Sequence, residues 1–181
     1  MKFRETTISG AWLIDPEPRQ DERGFFARLW CRDELRERGL SSDFVQCNSS
    51  GSVAAGTLRG LHWQSAPHAE NKLISCIRGR VFDVIVDVRE DSPTFMAWFG
   101  AELSASNKTM AYVPQGCAHG YLTLEPDCEV MYPVTAVYHA PSERGLRWDD
   151  PAVSIKWPIA PVVISAKDRA WPALRTEGAR Q

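Results

Sequence analysis

Residues 56–64 place an arginine and a histidine close together, Arg59 and His62. A guanidinium holds phosphate through paired hydrogen bonds, and an imidazole can move a proton at neutral pH. If the flanking apolar residues form strands, with Gly60 at a turn, both side chains can point into one cavity. The segment therefore favours an enzyme that acts on a phosphorylated substrate. The structural alternative is an exposed, salt-bridged arginine beside a hydrogen-bonded core histidine.

Residues 114–120 contain a second motif, Pro-x-Gly-x-x-His followed by glycine. It resembles the second half of the cupin signature, a turn that leads to a histidine pointing into a barrel. Most cupins use that histidine for a metal, together with a His-x-His pair and a glutamate, and this chain has no His-x-His. The remaining possible ligands are His62, His68, Glu70 and His119. Their spacing is wrong for that arrangement, and a metal needs three or four convergent ligands, so we expect none.

Without a metal, the same region suits removal of a proton next to a carbonyl group. His62 can act as the base, and Lys72 can stabilise the negative charge that develops on the carbonyl oxygen. The hydroxyl of Tyr132 can return the proton to the other face, and a base and an acid on opposite faces make an epimerase. The structural alternatives are a lysine that guards a strand edge and a tyrosine that packs in the core.

Asp168 ends the sequence Ser-Ala-Lys-Asp at residues 165–168, which is typical of a helix capping box with aspartate in the last place. In that interpretation the carboxylate only caps a helix. The alternative is that Asp168 accepts a hydrogen bond from His62 and holds its tautomer, as a carboxylate does in a catalytic triad.

Short β-type runs separated by turn residues dominate the centre of the chain. They predict strands over 72–77, 81–88, 98–103, 110–113, 120–124 and 129–138. A helix is predicted over 32–38, closed by Gly39, with a short helical turn from Ser165 and a proline-rich, extended surface stretch over 150–161. Strands at this spacing indicate an antiparallel sandwich or barrel with a ligand at its open mouth.

Composition narrows the class of protein. The 181 residues can bury one core, and nothing demands a second domain. The formal net charge is −2, without the basic stripe expected of a nucleic-acid-binding surface. No apolar run reaches the length of a membrane span, and the N-terminus lacks the apolar stretch of a signal peptide, so we expect a cytoplasmic protein. The five cysteines show no C-x-x-C spacing and are predicted to be reduced core residues.

In their order along the chain, these motifs resemble the dTDP-4-dehydrorhamnose 3,5-epimerases, a family of metal-free cupins. The resemblance runs through residues 21–26, 44–48, 56–64, 71–73, 87–95, 114–120, 132–138, 147–151 and 165–168. It implies an all-β, cupin-like antiparallel jelly-roll barrel with a few short peripheral helices. It also implies a single domain over 1–181, a homodimer, no cofactor and a nucleotide-sugar substrate.

The resemblance implies a role for each matching residue. His62 would be the base, oriented by Asp168. Tyr132 would be the acid, and Lys72 would stabilise the enolate. The substrate-binding residues would be Arg59 and Lys167 at the diphosphate, His119 near the sugar, Gln46 and Asn48 on the nucleotide-sugar, and Tyr138 near the nucleotide end. An N-terminal segment that crosses to the neighbouring subunit would contribute Arg23 and Phe26.

The implied reaction inverts C3, C5 or both in a dTDP-linked 4-keto-6-deoxyhexose, commonly for rhamnose in surface polysaccharide. A metal-dependent cupin enzyme and a non-catalytic nucleotide-sugar binding module are the alternatives. The chain departs from the family pattern at Arg28, Cys47, Ser49, Trp63 and Pro133. Proline is expected to need a sheet edge or a bulge, and at position 133 it can shift the neighbouring Tyr132 hydroxyl.

Overall fold

Short strands account for most of the regular structure in the computed structural model, which describes residues 1–174. The strands are β1 (Lys2–Glu5), β2 (Trp12–Asp15), β3 (Arg19–Asp21), β4 (Gly24–Phe26), β5 (Gln46–Ser52), β6 (Thr57–Gln64), β7 (Lys72–Arg78), β8 (Arg80–Asp87), β9 (Trp98–Ser104), β10 (Met110–Val113), β11 (Cys117–Thr123), β12 (Cys128–Val134), β13 (Glu143–Gly145) and β14 (Val163–Ile164). The helices are α1 (Arg32–Arg36), α2 (Ala166–Arg169) and a 3₁₀ turn, Ala140–Ser142.

Two sheets pack face to face and form a jelly-roll barrel, which confirms the predicted fold class. The first sheet has the order β1-β2-β10-β7-β12-β5, and the second has the order β13-β6-β11-β8-β9, with β14 beside β6. Strands β3 and β4 form a separate hairpin. Apolar side chains from both sheets share one buried core, among them Ile74 and Val130 of the first sheet and Val81 and Ile85 of the second.

Most of the predicted strands are present, with shifted ends. The strand over 110–113 is confirmed as β10, whereas the one over 129–138 stops at Val134. The strand predicted over 120–124 starts earlier, at Cys117, because the whole segment to Thr123 pairs with β8. Helix α1 ends at Arg36, two residues before its predicted end, and the chain then turns at Gly39 with a φ of 70°.

The prediction that Gly60 lies at a turn is wrong. Gly60 is inside β6, where the ladder to β11 is irregular between His119 and Tyr121. Its φ is 125°, and a Cβ atom there would collide with the backbone of Gly120 on the neighbouring strand. Glycine is needed at this position because two strands approach closely with a backbone that other residues rarely adopt.

The prediction that Pro133 needs a sheet edge or a bulge is also wrong. Strand β12 lies between β7 and β5, and its irregularity falls between Glu129 and Val130. Pro133 pairs with Cys47 of β5 in register. Each backbone N–H of an antiparallel strand points to only one neighbouring strand, so the proline removes one ladder bond at most and leaves the other side of the strand intact.

The remaining composition-based expectations concern membranes and cysteines. None of the helices in residues 1–174 is long and apolar enough to cross a bilayer. All five cysteines are unpaired, and Cys76, Cys117 and Cys128 are buried as predicted. Cys47 is exposed and Cys31 is half-buried, so these two are not core residues.

Candidate active site

A cavity with two lobes lies between the sheets, and both lobes are lined by His62, Lys72 and Tyr132. The larger lobe, of about 460 Å³, also contains the cationic side chains of Arg59 and Lys167. The smaller lobe, of about 320 Å³, is lined mainly by amide, carboxyl and aromatic groups. A cationic lobe beside one with amides and rings suits a ligand that carries both anionic and ring-shaped parts.

His62 lies in β6, and its Nε2 is 2.6 Å from Oδ1 of Asp168. The Asp168 side chain is 6 % exposed, whereas the imidazole is 32 % exposed and lines the cavity. An ionised carboxylate can only accept a hydrogen bond, so Nε2 carries the proton. The lone pair of Nδ1 remains free for a substrate, because Nδ1 makes no hydrogen bond within residues 1–174.

Helix α2 places the Asp168 carboxylate. Ser165 caps the helix, since its Oγ accepts a hydrogen bond from the Asp168 N–H at 3.0 Å. The carboxylate turns away from the cap and accepts hydrogen bonds from His62 and from the N–H of Gly60 at 3.3 Å. Burial alone would raise the pKa of Asp168. Together, the hydrogen bonds have the larger, opposite effect, so the pKa lies below its usual value. The serine cap and the hydrogen bond to His62 are both present, and the interpretation in which the carboxylate only caps the helix is wrong.

Lys72 lies in β7 and reaches across the barrel. Its Nζ donates to the backbone oxygen of His62 at 3.0 Å and is 3.2 Å from Oε1 of Glu70. The interpretation as an edge lysine is wrong, because β7 is an interior strand and the side chain is only 10 % exposed. Burial lowers the pKa of Lys72, and Glu70 opposes this effect. A buried ammonium with one carboxylate partner is suited to stabilise a developing oxyanion.

Tyr132 lines both lobes from β12, in the sheet opposite to that of His62. Its ring packs against the shared core, while its hydroxyl makes no hydrogen bond within the described chain. Burial raises the pKa of Tyr132, so the hydroxyl keeps its proton at neutral pH. The unpaired hydroxyl is therefore available as a proton donor. The proline at position 133, a departure from the family pattern, has not moved Tyr132 out of the cavity.

Arg59 crosses the larger lobe from β6 to β5. Its Nε donates to Oγ of Ser52 at 3.1 Å, and a terminal nitrogen donates to the backbone oxygen of Gly51 at 2.7 Å. Both partners are neutral oxygen atoms, so the guanidinium charge remains available for an anion.

Lys167 is already paired. Its Nζ is 2.6 Å from both carboxylate oxygens of Glu143, which also accepts a hydrogen bond from the Tyr138 hydroxyl at 2.8 Å. Our sequence reasoning missed Glu143, which lies in β13 opposite Gln64 and lines the smaller lobe. The lysine therefore reaches the cavity as part of an ion pair that an anionic ligand must share or displace.

His119 forms a second histidine–carboxylate pair. Its Nε2 is 2.7 Å from Oδ2 of Asp83, and the two side chains are 8 % and 2 % exposed. His119 also lies directly opposite His62 in the ladder between β11 and β6. Asp83 was not among the predicted site residues, although its alternation with Ile85 and Asp87 in the sequence places it on one face of β8.

The inner face of β5 supplies Gln46, Asn48 and Ser50 in strict alternation. Gln46 donates to the Asn48 side chain at 2.8 Å and accepts a hydrogen bond from the N–H of Tyr138 at 3.2 Å. Gln46 and Asn48 line the smaller lobe as predicted, and Ser50 lines the larger one. Our sequence reasoning missed Ser50 as a site residue, although its two-residue spacing from Asn48 predicts that it lies on the same face of the strand.

A single chain does not bring Arg23 and Phe26 to the cavity. Both lie in the β3–β4 hairpin, where the Arg23 side chain is 82 % exposed and pairs with Asp21. Phe26 is 74 % exposed and is next to a groove on the outer side of the first sheet. These two residues can act at a site only if a second chain receives the hairpin.

The four possible metal ligands are held in separate pairs. His62 and His119 each bond their own aspartate, and Glu70 pairs with Lys72. His68 stacks on His139, with ring centroids 3.8 Å apart. Residues 1–174 contain no group of three or more histidine, cysteine or acidic side chains arranged to hold a metal ion. These four residues therefore do not form one ligand set.

The chain is similar to known proteins over most of its length. A family model described as dTDP-4-dehydrorhamnose 3,5-epimerase matches residues 5–176. The dTDP-4-dehydrorhamnose 3,5-epimerase of Sinorhizobium fredii is 45% identical over 175 residues, which cover 96% of this chain and 90% of that protein.

Two solved structures were determined with sugar nucleotides. The dTDP-6-deoxy-D-glucose-3,5-epimerase of Legionella pneumophila, in complex with dTDP-4-keto-L-rhamnose, is 39% identical, with a TM-score of 0.89 and coverage of 95% of this chain and 92% of that one. A 3'-monoepimerase of Streptomyces bikiniensis, in complex with dTDP-quinovose, is 32% identical, with a TM-score of 0.86 and coverage of 93% and 85%.

Proposed function

The chain belongs to the dTDP-4-dehydrorhamnose 3,5-epimerase family, and we propose that it inverts both C3 and C5 of a dTDP-linked 4-keto-6-deoxyhexose with His62 and Tyr132. It is an isomerase that epimerises a dTDP-linked keto sugar. The roles of individual residues and the number of inverted centres are the proposal.

One observation carries the proposed mechanism: His62 and Tyr132 line the same cavity from opposite sheets of the barrel. A sugar ring between the sheets presents one face to each residue. Nδ1 of His62 removes the proton from a carbon next to the C4 ketone, and the electron pair moves to the ketone oxygen. The ammonium of Lys72 stabilises this enolate, and the Tyr132 hydroxyl returns a proton from the opposite side, which inverts the centre.

Both C3 and C5 are next to the C4 ketone, so one base and one oxyanion site can serve both carbons in turn. Among the similar proteins are 3,5-epimerases and a 3'-monoepimerase. We propose the double reaction because the 3,5-epimerases are the relatives with the higher identity, 45% against 32%.

The two lobes support a model in which different parts of the substrate bind in different lobes. Arg59, whose charge has no acidic partner in the larger lobe, would hold the diphosphate, and Lys167 would join it by sharing Glu143. His119 would lie at the sugar, and the group of Gln46, Asn48 and Tyr138 would face the nucleotide. Bidentate hydrogen bonds from a guanidinium to phosphate are the strongest of these interactions.

The proposed assembly is a homodimer in which the β3–β4 hairpin lies on the neighbouring subunit. Phe25 and Phe26 lie in β4 of this hairpin and are 58% and 74% exposed, and apolar rings with this much exposure favour a partner surface. A crossed hairpin would bring Arg23 and Phe26 to the partner's cavity.

We also propose a cytosolic location, since all five cysteines are free thiols.

Deuterium uptake from D₂O into dTDP-4-keto-6-deoxyglucose tests the proposal. We expect two deuterons, at C3 and C5, and an inverted product seen by NMR. The variant His62→Ala should lose uptake but retain dTDP binding measured by calorimetry. One deuteron would indicate a single-position epimerase. Unchanged uptake in His62→Ala would contradict the role of His62, and binding without any uptake would favour a non-catalytic module.

A further inference from the structure

Trp171, just after α2, contacts His62 from outside the cavity. The two ring centroids are 6.1 Å apart, and the ring planes meet at 64°. Trp171 is not among the residues that line either lobe, although its ring centroid is 5.7 Å from Nζ of Lys167, which lines the larger one. The mechanism described above makes no use of this contact.

Gly145 creates the space that the indole occupies. It lies directly opposite His62 in the ladder between β13 and β6. A Cβ atom at Gly145 would overlap the Trp171 ring, far inside the 3.0 Å limit that real Cβ atoms keep. Gly145 does not have a left-handed backbone, so backbone conformation does not demand glycine here. The indole therefore takes the place of the missing cross-strand side chain.

This placement lets Trp171 act on the orientation of the imidazole. Side chains directly opposite each other in an antiparallel ladder are in contact distance, so an indole in that place limits rotation of the His62 ring. Asp168 holds Nε2, and the indole bounds the ring beside it. Nε1 of Trp171 is buried and has no hydrogen-bond partner among the described residues. Ring packing, and not an indole hydrogen bond, therefore sets the position of Trp171.

We propose that Trp171 is a positioning residue for the base. It occupies the space left by the missing side chain of Gly145 and holds His62 so that Nδ1 faces the sugar carbon. This inference rests on the proposed role of His62. Proton transfer depends steeply on geometry, and a displacement of about 1 Å can cost on the order of a hundredfold in rate.

A double-mutant cycle on deuterium uptake tests the inference. Trp171→Ala should lower the uptake rate at saturating sugar by about 10- to 100-fold. The dTDP affinity should change much less, because the contact of the ring with Lys167 is longer than a direct hydrogen bond, at 5.7 Å. Gly145→Ala should have a similar effect because its methyl group displaces the indole. In the double variant the glycine substitution should add almost nothing, since the indole is already absent. Trp171→Phe should restore most of the rate.

A matched control separates positioning from stability. Trp157 makes a similar edge contact with Phe82, at 6.2 Å and 74°, away from the cavity. Trp157→Ala should lower the thermal unfolding temperature and leave the uptake rate as it is. Unchanged uptake in Trp171→Ala, an additive effect of Gly145→Ala, or an equal loss of dTDP binding would each overturn the inference. Persistent uptake in His62→Ala would instead overturn the proposed base.

Discussion

The imidazole of His62 and the carboxylate of Asp168 are joined by a 2.6 Å hydrogen bond across 106 positions of the chain. The bond links β6 to α2 and leaves the carboxylate almost fully buried. A short hydrogen bond to a buried, ionised carboxylate fixes which ring nitrogen carries the proton. The basic properties of the cavity therefore depend on a helix of only four residues.

Replacement of Asp168 by asparagine is expected to lower kcat by on the order of 10³- to 10⁴-fold. The asparagine amide can donate to Nε2, which moves the imidazole proton to Nδ1 and removes the basic lone pair from the cavity. Steady-state assays of the inverted product measure the effect. Asp149→Asn is the control, since Asp149 pairs with Arg147 at the surface. A kcat within tenfold of the wild type would mean that Asp168 does not set the tautomer.

Tyr132→Phe is expected to separate proton removal from inversion. In D₂O, His62 can still form the enolate and exchange the proton it has taken for a deuteron. It can return this deuteron only to the face of the sugar that it contacts. NMR should therefore show deuterium in the recovered sugar with little inverted product. Tyr112→Phe is the control, because that hydroxyl donates to the backbone of Ser41 away from the cavity. Inversion at the normal rate in Tyr132→Phe would assign the acid to another group.

Glu70→Gln is expected to move the alkaline limb of the kcat profile to lower pH. Burial lowers the pKa of Lys72, and the Glu70 carboxylate is the largest opposing influence, ahead of Asp83 and Glu143. Without that charge the pKa of Lys72 falls further, so the ammonium that stabilises the enolate is lost at lower pH. Rate measurements across the alkaline range detect the change. An unmoved limb would show that Lys72 does not control it.

Mixed dimers test the crossed hairpin. Co-expression of His62→Ala subunits with subunits that carry Arg23→Ala and Phe26→Ala should recover about a quarter of the wild-type activity. Half of the randomly paired dimers are mixed, and each has one complete site if the hairpin acts on the neighbouring subunit. Each variant expressed alone sets the background. Activity no higher than that background would place the hairpin at the site of its own chain, or at none.

Asp87→Asn is expected to reduce stability without a direct effect on catalysis. Burial alone would raise the pKa of Asp87 above its ordinary value of 3.8. Hydrogen bonds from Arg89, Ser92 and Thr94 together have the larger, opposite effect and lower the pKa to about 2. Its stabilisation, about 2 kcal/mol, is therefore complete above pH 3.8 and is lost as the pH falls towards 2. Urea unfolding should show the full difference between the two proteins at pH 7 and a smaller one near pH 3. A constant difference would contradict this account.

Much of the barrel and half of the site follow from local patterns. Alternation over residues 81–88 predicted β8, since side chains of a strand point to opposite faces in turn. A short β-type run predicted β10, in which all four residues are buried. Motif spacing brought Arg59, His62 and His119 into consideration. The serine cap of α2 depends on residues three positions apart, so sequence reasoning found it as well.

Pairing between distant strands decided the rest. Glu143, Asp83, Trp171 and Gly145 joined the site only because β13, β8 and the segment after α2 pack against β6 and β11. A local pattern shows which face of its own strand a side chain occupies. It does not show which side chain from another strand lies opposite. That depends on ladder register, which the packing of the whole barrel selects. The choice of Asp168 as the partner of His62, and of Trp171 as its neighbour, therefore belongs to the tertiary structure.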